Sequence, residues 1–193
     1  SQKVLVDSDL ALRVMLGQGS RPVAHLGMLG AKRSALSQDD IITSELETLN
    51  LSSAGVISAS DGSSTKFEPL VQSSDQAMLM DGSYFEDVSN PSILFDQFVP
   101  TGEVYTIAAR VSGRVKTAFG NGRPPQLTGA DLDIETDEQD SLVSAPISPP
   151  DPEEEINDGA MHLASSTSET NLLIFADSDF LSDRLWVQVA QFL

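Results

Sequence analysis

The chain has 193 residues, 40% of them hydrophobic, and a mean hydropathy near zero, so it reads as one globular domain able to bury a real core. A formal charge of −18 argues against nucleic acid or an anionic membrane surface as partner, and zero cysteines exclude disulfides, thiolate metal sites and a cysteine nucleophile. The longest clean apolar run, residues 172–176, is too short to cross a bilayer, and no signal-peptide pattern opens the sequence. The chain begins at Ser1 without a methionine and stops at Leu193 inside a helical pattern, so it reads as a piece of a longer protein.

In chain order, "VLV" at residues 4–6 predicts a short strand that ends on a turn at Asp7-Ser8-Asp9. Gly-rich "GQGSRPVAHLGMLGA" predicts a loop or a broken strand over residues 23–29. In "SQDDIITSELETLN", Ser37 is placed as the N-cap of a short helix, with Asp39 and Asp40 in its first turn, where the helix dipole favours anions. Strands are expected at residues 54–59 and 66–72, joined by the turn "SDGSS", and Ser73, Ser74 and Asp75 follow the second of them. A helical turn is expected between Pro91 and Pro100. A long strand is expected over residues 104–113, with "RVKTAFG" extending it or pairing with it.

The texture changes at Pro124. Residues 124–170 hold six of the ten prolines and 12 acidic residues, with no aromatic side chain, Lys or Arg. Such a stretch buries too little apolar surface to offset its ordering entropy, so it reads as a solvated insertion, with a cation- or partner-binding acidic arm as the alternative. The body, residues 1–123, carries 10 basic and 14 acidic residues and is ordinary by comparison. The division that follows is 1–123, the insertion 124–170, and 171–193 as the closing strand and helix of the same domain. "NLLIFA" suggests a strand buried on both faces, as in a parallel α/β sheet. Leu181, Leu185, Val189 and Phe192 then mark one face of a helix.

The residues with the most chemistry are Asp177, Ser178 and Asp179, at the carboxyl end of that strand. Two carboxylates two residues apart can hold a hard cation such as Mg²⁺. The same residue types are also preferred caps for the free N–H groups of a following helix, which accounts for them without any ligand. Asp7-Ser8-Asp9 repeats the pattern. Ser73, Ser74 and Asp75 offer a serine beside a carboxylate, although Ser and Asp after a strand commonly bond to nearby backbone. His25 and His162 lie far apart, and no G-x-S-x-G elbow, dinucleotide loop or P-loop is present. No catalytic set, metal site or cofactor site is assigned.

"NLLIFADSDFLSDRLWVQVAQF" nevertheless resembles a known family. Its strand, its D-[ST]-D-[FL] turn (Asp177 to Phe180) and its D-R-[FL]-W-V helix (Asp183 to Val187) are similar to the extracytoplasmic domain of auxiliary components of ABC-type transport systems, the gliding-motility GldG-like family. "FEPLVQSSDQAML", "PTGEVYTIAARVSGRVKTAF" and "RPVAHLGMLG" with "DDIITSELETLNLSSAG" fit the same family, so the resemblance covers most of 1–123 and 171–193 and leaves the acidic insertion outside. It implies an α/β fold, a Rossmann-like three-layer sandwich of the class I glutamine amidotransferase-like type, with the amino-terminal part of the usual domain missing. It implies a periplasmic or extracytoplasmic domain, anchored through membrane segments outside this chain, with the ABC permease and ATPase subunits as partners. The chain lacks the amidotransferase cysteine, so the expected function is non-catalytic binding of a partner or substrate. The alternatives are a Mg²⁺-dependent phosphoryl hydrolase or phosphoacceptor using Asp177 and Asp179, and a small-ligand domain, for instance for a sugar.

Overall fold

A computed structural model describes residues 2–17, 21–85, 90–120, 122 and 162–186. Strands dominate it: β1 (Lys3–Asp7), β2 (Ala11–Val14), β3 (Val23–Lys32), β4 (Thr48–Ser52), β5 (Lys66–Gln72), β6 (Ala77–Asp81), β7 (Thr106–Gly113) and β8 (Thr170–Phe175). One short α-helix, α1 (Asp183–Trp186), and three 3-10 turns complete the described elements, which makes the fold mixed α/β with most of its order in strands. The strands form three small sheets, β1-β6, β2-β3-β4 and β5-β7-β8, and every pair among them is antiparallel.

The strand buried on both faces is β1, not β8. Leu5 packs into one apolar cluster with Leu29, Leu51, Leu70 and Ile107, while its neighbour Val6 packs into another with Leu26, Met80 and Leu94. Successive residues of a strand point to opposite faces, so two clusters on adjacent residues mean core on both sides. One edge of β1 pairs with β6, and on the other the Leu5 N–H donates to Ala54 O at 2.7 Å. β8 is the outermost strand of its sheet, with Leu172, Leu173 and Ile174 each about 40% exposed. A continuous apolar run reports apolarity, while position within the sheet decides burial, so the expectation of a doubly buried parallel strand at residues 171–176 is corrected.

Several local expectations change in the same way. Residues 23–32 form one unbroken strand at the centre of its sheet. The helix expected after Ser37 is a series of turns: the Ser37 N–H donates to Leu70 O, and Asp40 accepts the Ile42 N–H through its side chain and the Ser44 N–H through its carbonyl. Ile41 and Ile42 are exposed there, so no apolar face exists to hold a helix down. Residues 54–59 form no strand. They are an extended connection held by single bonds, Gly55 N–H to Ala176 O and Ile57 N–H to Thr106 O. β4 and β6 take the pairing roles instead. The helical turn expected between Pro91 and Pro100 is present as a 3-10 helix, Pro91–Gln97, with Pro at its start; Asn90 accepts the Ser92 N–H at its head.

The chain divides into two compact units, Ser1–Gly113 with Glu169–Leu193, and Arg114–Ser168. Within the second, "RVKTAFG" pairs not with the preceding strand but with residues 164–166, through a Lys116–Ser165 bridge and the bonds Thr117 N–H to Ala164 O and Ser166 N–H to Val115 O. Most of the acidic insertion and the expected helical positions Val189 and Phe192 lie outside the described residues.

Candidate functional site

The two Asp-Ser-Asp turns are one device used twice. Asp7, at the end of β1, is fully buried, and its Oδ1 accepts the N–H groups of Asp9 (2.8 Å) and Leu10 (3.0 Å), closing the turn. The carboxylate also reaches across the fold. Oδ2 accepts the Ser74 N–H at 2.7 Å and Oδ1 the Ser74 hydroxyl at 2.9 Å. Asp177, 7% exposed, repeats this with fewer bonds: Oδ1 accepts the Asp179 N–H at 2.7 Å and Oδ2 the Ser52 N–H at 2.8 Å. Phe175 and Phe180 stack across the second turn, with ring centres 4.5 Å apart. Each carboxylate therefore closes its own turn with a backbone N–H and clasps a distant segment through another.

Asp177 does not cap α1. The helix begins at Asp183, and the Ser182 N–H is taken by the Asp179 carbonyl at 2.7 Å. Ser178 is exposed. Of the other serine pair, Ser74 belongs to the Asp7 clasp and also accepts the Gln76 N–H, while the Ser73 hydroxyl donates to Ser74 O and accepts the Tyr105 N–H. Asp75 meets the Gln76 side-chain amide at 3.0 Å on the surface. The structure thus joins Ser74 to the first Asp-Ser-Asp turn, a pairing that sequence reasoning did not suggest. His25 is half-buried, its Nδ1 accepts the Gly27 N–H at 3.2 Å, and burial pulls its pKa below the ordinary 6.5. Among the described residues, no group of three or more His, Asp or Glu side chains is placed to hold a metal.

The segment that Asp177 holds is a corner. Ser52 ends β4, the Ser53 N–H donates to Gly27 O at 2.9 Å, and Ser53 has φ of 57°. A non-glycine residue in the left-handed region carries a steric cost of about 1–2 kcal/mol. Ser53→Gly should therefore leave stability unchanged or raise it by up to about 1 kcal/mol, whereas Ser53→Val should lower it by ~2 kcal/mol. Urea denaturation of the two variants checks the ordering.

A third polar anchor lies on the β5-β7-β8 sheet. The Arg110 guanidinium grips Asp40 through Nε (2.6 Å) and Nη2 (2.8 Å), and Nη1 donates to Asn171 Oδ1 at 2.6 Å. The hydrogen bond from Arg110 is the main cause that holds the Asp40 carboxyl down at about 2, and the same contact raises the pKa of Arg110. Because the folded value lies below the ordinary 3.8, the contribution is complete above 3.8 and is lost as pH falls through about 2. The stability difference between the protein and Asp40→Asn should be full near pH 6 and shrink steadily between about pH 4 and pH 2, read by denaturant titration at each pH.

Open clefts adjoin the first two anchors. One, of about 450 Å³, is bordered by Val4, Ser53, Asp81, Ser83 and Phe85; the other, of about 500 Å³, by Ser37, Gln38, Asp39, Gln72 and Ser73. Neither is lined by Asp7 or Asp177.

Against known proteins, the family model described as "ABC-type uncharacterized transport system" matches residues 1–193. The chain belongs to this family of auxiliary components of ABC-type transport systems. The family match runs through the acidic segment 124–170, which the motif resemblance had left outside it. No curated protein and no solved structure matches. In this chain the Asp177-Ser178-Asp179 turn is a clasp that ties the end of β8 to the end of β4.

Proposed function

We propose that this chain is a non-catalytic, extracytoplasmic domain of its transport system's auxiliary component, acting by binding a partner protein or a substrate. The observation that carries the reading is the use of Asp7, Asp177, Ser73 and Ser74. These are the side chains with the most chemistry at the two turns, and their polar atoms are directed to the protein's own backbone and to one another. The order of the family-like segments supports a GldG-like, gliding-motility-type subgroup. In this reading the domain lies on the periplasmic side, anchored through segments of the parent protein, with the permease and ATPase as partners. A class I glutamine amidotransferase-like, Rossmann-like sandwich is part of the same reading. A crystal structure of the parent with a parallel central sheet would support that frame, and one with antiparallel pairs alone would remove it.

Affinity purification of the tagged parent protein from detergent-solubilised membranes tests the function. The permease and ATPase should copurify with it, and protease added to spheroplasts should reach the domain directly. Absence of both subunits from the eluate, or protection of the domain from external protease, overturns the reading. The phosphoryl-transfer alternative would place a cation on Asp177 and Asp179; each Asp177 oxygen already accepts one backbone N–H, which accounts for the carboxylate without a cation. A small-ligand reading draws its support from the polar cleft beside Ser73, and a thermal-shift screen against sugars and other metabolites distinguishes it.

A further inference from the structure

The sequence holds three Asp-Gly pairs, at 61–62, 81–82 and 158–159, of which the first two lie among the described residues. Such a pair has a chemistry of its own. The glycine nitrogen gives up its proton and attacks the aspartate Cγ; a C–N bond forms, water leaves, and a five-membered succinimide results. Water then opens the ring at either carbonyl. One opening restores aspartate, and the other leaves the chain linked through the side chain as isoaspartate, with no net change in mass. Glycine favours the attack because it has no Cβ to obstruct the nitrogen. The fold decides which pair reacts, since nitrogen and carboxyl must both be free to approach.

The two described pairs are held in opposite ways. At 81–82 the Gly82 N–H donates to Gln2 O at 2.8 Å, and the Asp81 carboxylate accepts the N–H (3.1 Å) and the hydroxyl (2.8 Å) of Ser83 and pairs with Lys3. At 61–62 neither group is engaged. Ser60 O accepts the Ser63 N–H at 3.1 Å, which sets Asp61 and Gly62 at the centre of a turn, both exposed, with Gly62 at φ of 72°. Among the described residues, nothing accepts the Gly62 N–H or bonds to the Asp61 carboxylate. Apart from its chain neighbours, no atom lies within 4 Å of where a Gly62 Cβ would stand. We infer that Asp61-Gly62 is a site of spontaneous succinimide formation and isoaspartate linkage in the folded protein, while Asp81-Gly82 is protected by its bonds. The four turn residues are exposed and none belongs to the core, so the fold accommodates the altered link.

Ageing the full chain near neutral pH in water enriched in heavy oxygen is the test, because each ring opening leaves one heavy atom in a carboxyl group. Trypsin cuts after Arg33, Lys66 and Arg110, so the two pairs fall in separate peptides, 34–66 and 67–110, and fragmentation places the label within each. In the folded protein Asp61 should take up label at least about tenfold faster than Asp81, since several hydrogen bonds must open before Gly82 can attack. In concentrated urea the two rates should converge, with Asp61 close to its folded rate. A protease that cuts before aspartate should progressively fail at Asp61 as isoaspartate accumulates. Asp61→Glu, which would need a six-membered ring, should abolish the label at this position and leave the circular dichroism unchanged. Equal labelling of the two pairs in the folded protein overturns the inference. So does an Asp61 rate that rises in urea as steeply as that of Asp81, which would mean that the turn shields the pair.

Discussion

Asp7→Ala is expected to be among the most damaging single substitutions in the chain, lowering stability by about 3–5 kcal/mol. The estimate follows from the bonds. Removing the fully buried carboxylate strips partners from the N–H groups of Asp9, Leu10 and Ser74 and from the Ser74 hydroxyl, of which the Leu10 N–H is the one in a buried residue. Each buried donor left without a partner costs ~1–3 kcal/mol, less where relaxation or water supplies a substitute. Asp7→Asn keeps the acceptor that serves Asp9, Leu10 and the Ser74 hydroxyl but sets an amide N–H₂ against the Ser74 N–H, so about half the loss should remain. Against a total stability of roughly 5–15 kcal/mol, the alanine variant should show a large drop in urea midpoint with little change in slope. Ser74→Ala removes only the hydroxyl's bonds to Asp7 and Gln76 and should cost far less, about 1 kcal/mol.

The second large effect is at the closing turn. Asp177→Ala frees the N–H groups of Asp179 and Ser52 and lets go of the corner at Ser53, for an expected loss of about 2–3 kcal/mol. A clasp and a plain turn differ in where the damage appears. Hydrogen exchange should accelerate at Ser52 and Ser53 as well as at Asp179, because the carboxylate reaches the Ser52 N–H directly. If protection falls only around residues 177–179, the cross-strand bond contributes nothing and the clasp is refuted at this position.

What the sequence made legible was local. β5 announces itself as a segment set off by the turn "SDGSS" before it, the 3-10 helix by Pro91 and Pro100 on either side, and the core of β1 by "VLV". β4 carried a readable alternation, with Leu49 and Leu51 buried and Asn50 and Ser52 less so, but the surrounding Glu and Ser residues favour a helical reading and only pairing with β3 decides it. β6, "AMLMD", contains strong helix formers and is a strand because β1 lies alongside it. The burial of β8 was not legible at all, since an apolar run does not reveal whether its strand is central or at an edge. The site divides in the same way. Both Asp-Ser-Asp turns could be seen as strand ends, yet their partners stand 67 and 125 residues away in the chain, at Ser74 and Ser52. No spacing rule links such pairs. The Asp40–Arg110 grip, 70 residues apart, was hidden for the same reason.

The central claim is that these acidic turns hold the fold together and are not a cation site, and it is tested most directly by thermal unfolding with and without Mg²⁺. The protein, Asp177→Asn and Asp177→Ala are melted in chelator and in about 10 mM Mg²⁺, with sodium chloride holding the ionic strength equal. The clasp predicts that the melting temperature falls in Asp177→Asn and further in Asp177→Ala, by the same amounts in either condition. A Mg²⁺-dependent rise in the protein that disappears in Asp177→Asn would contradict it and make Asp177 a metal ligand.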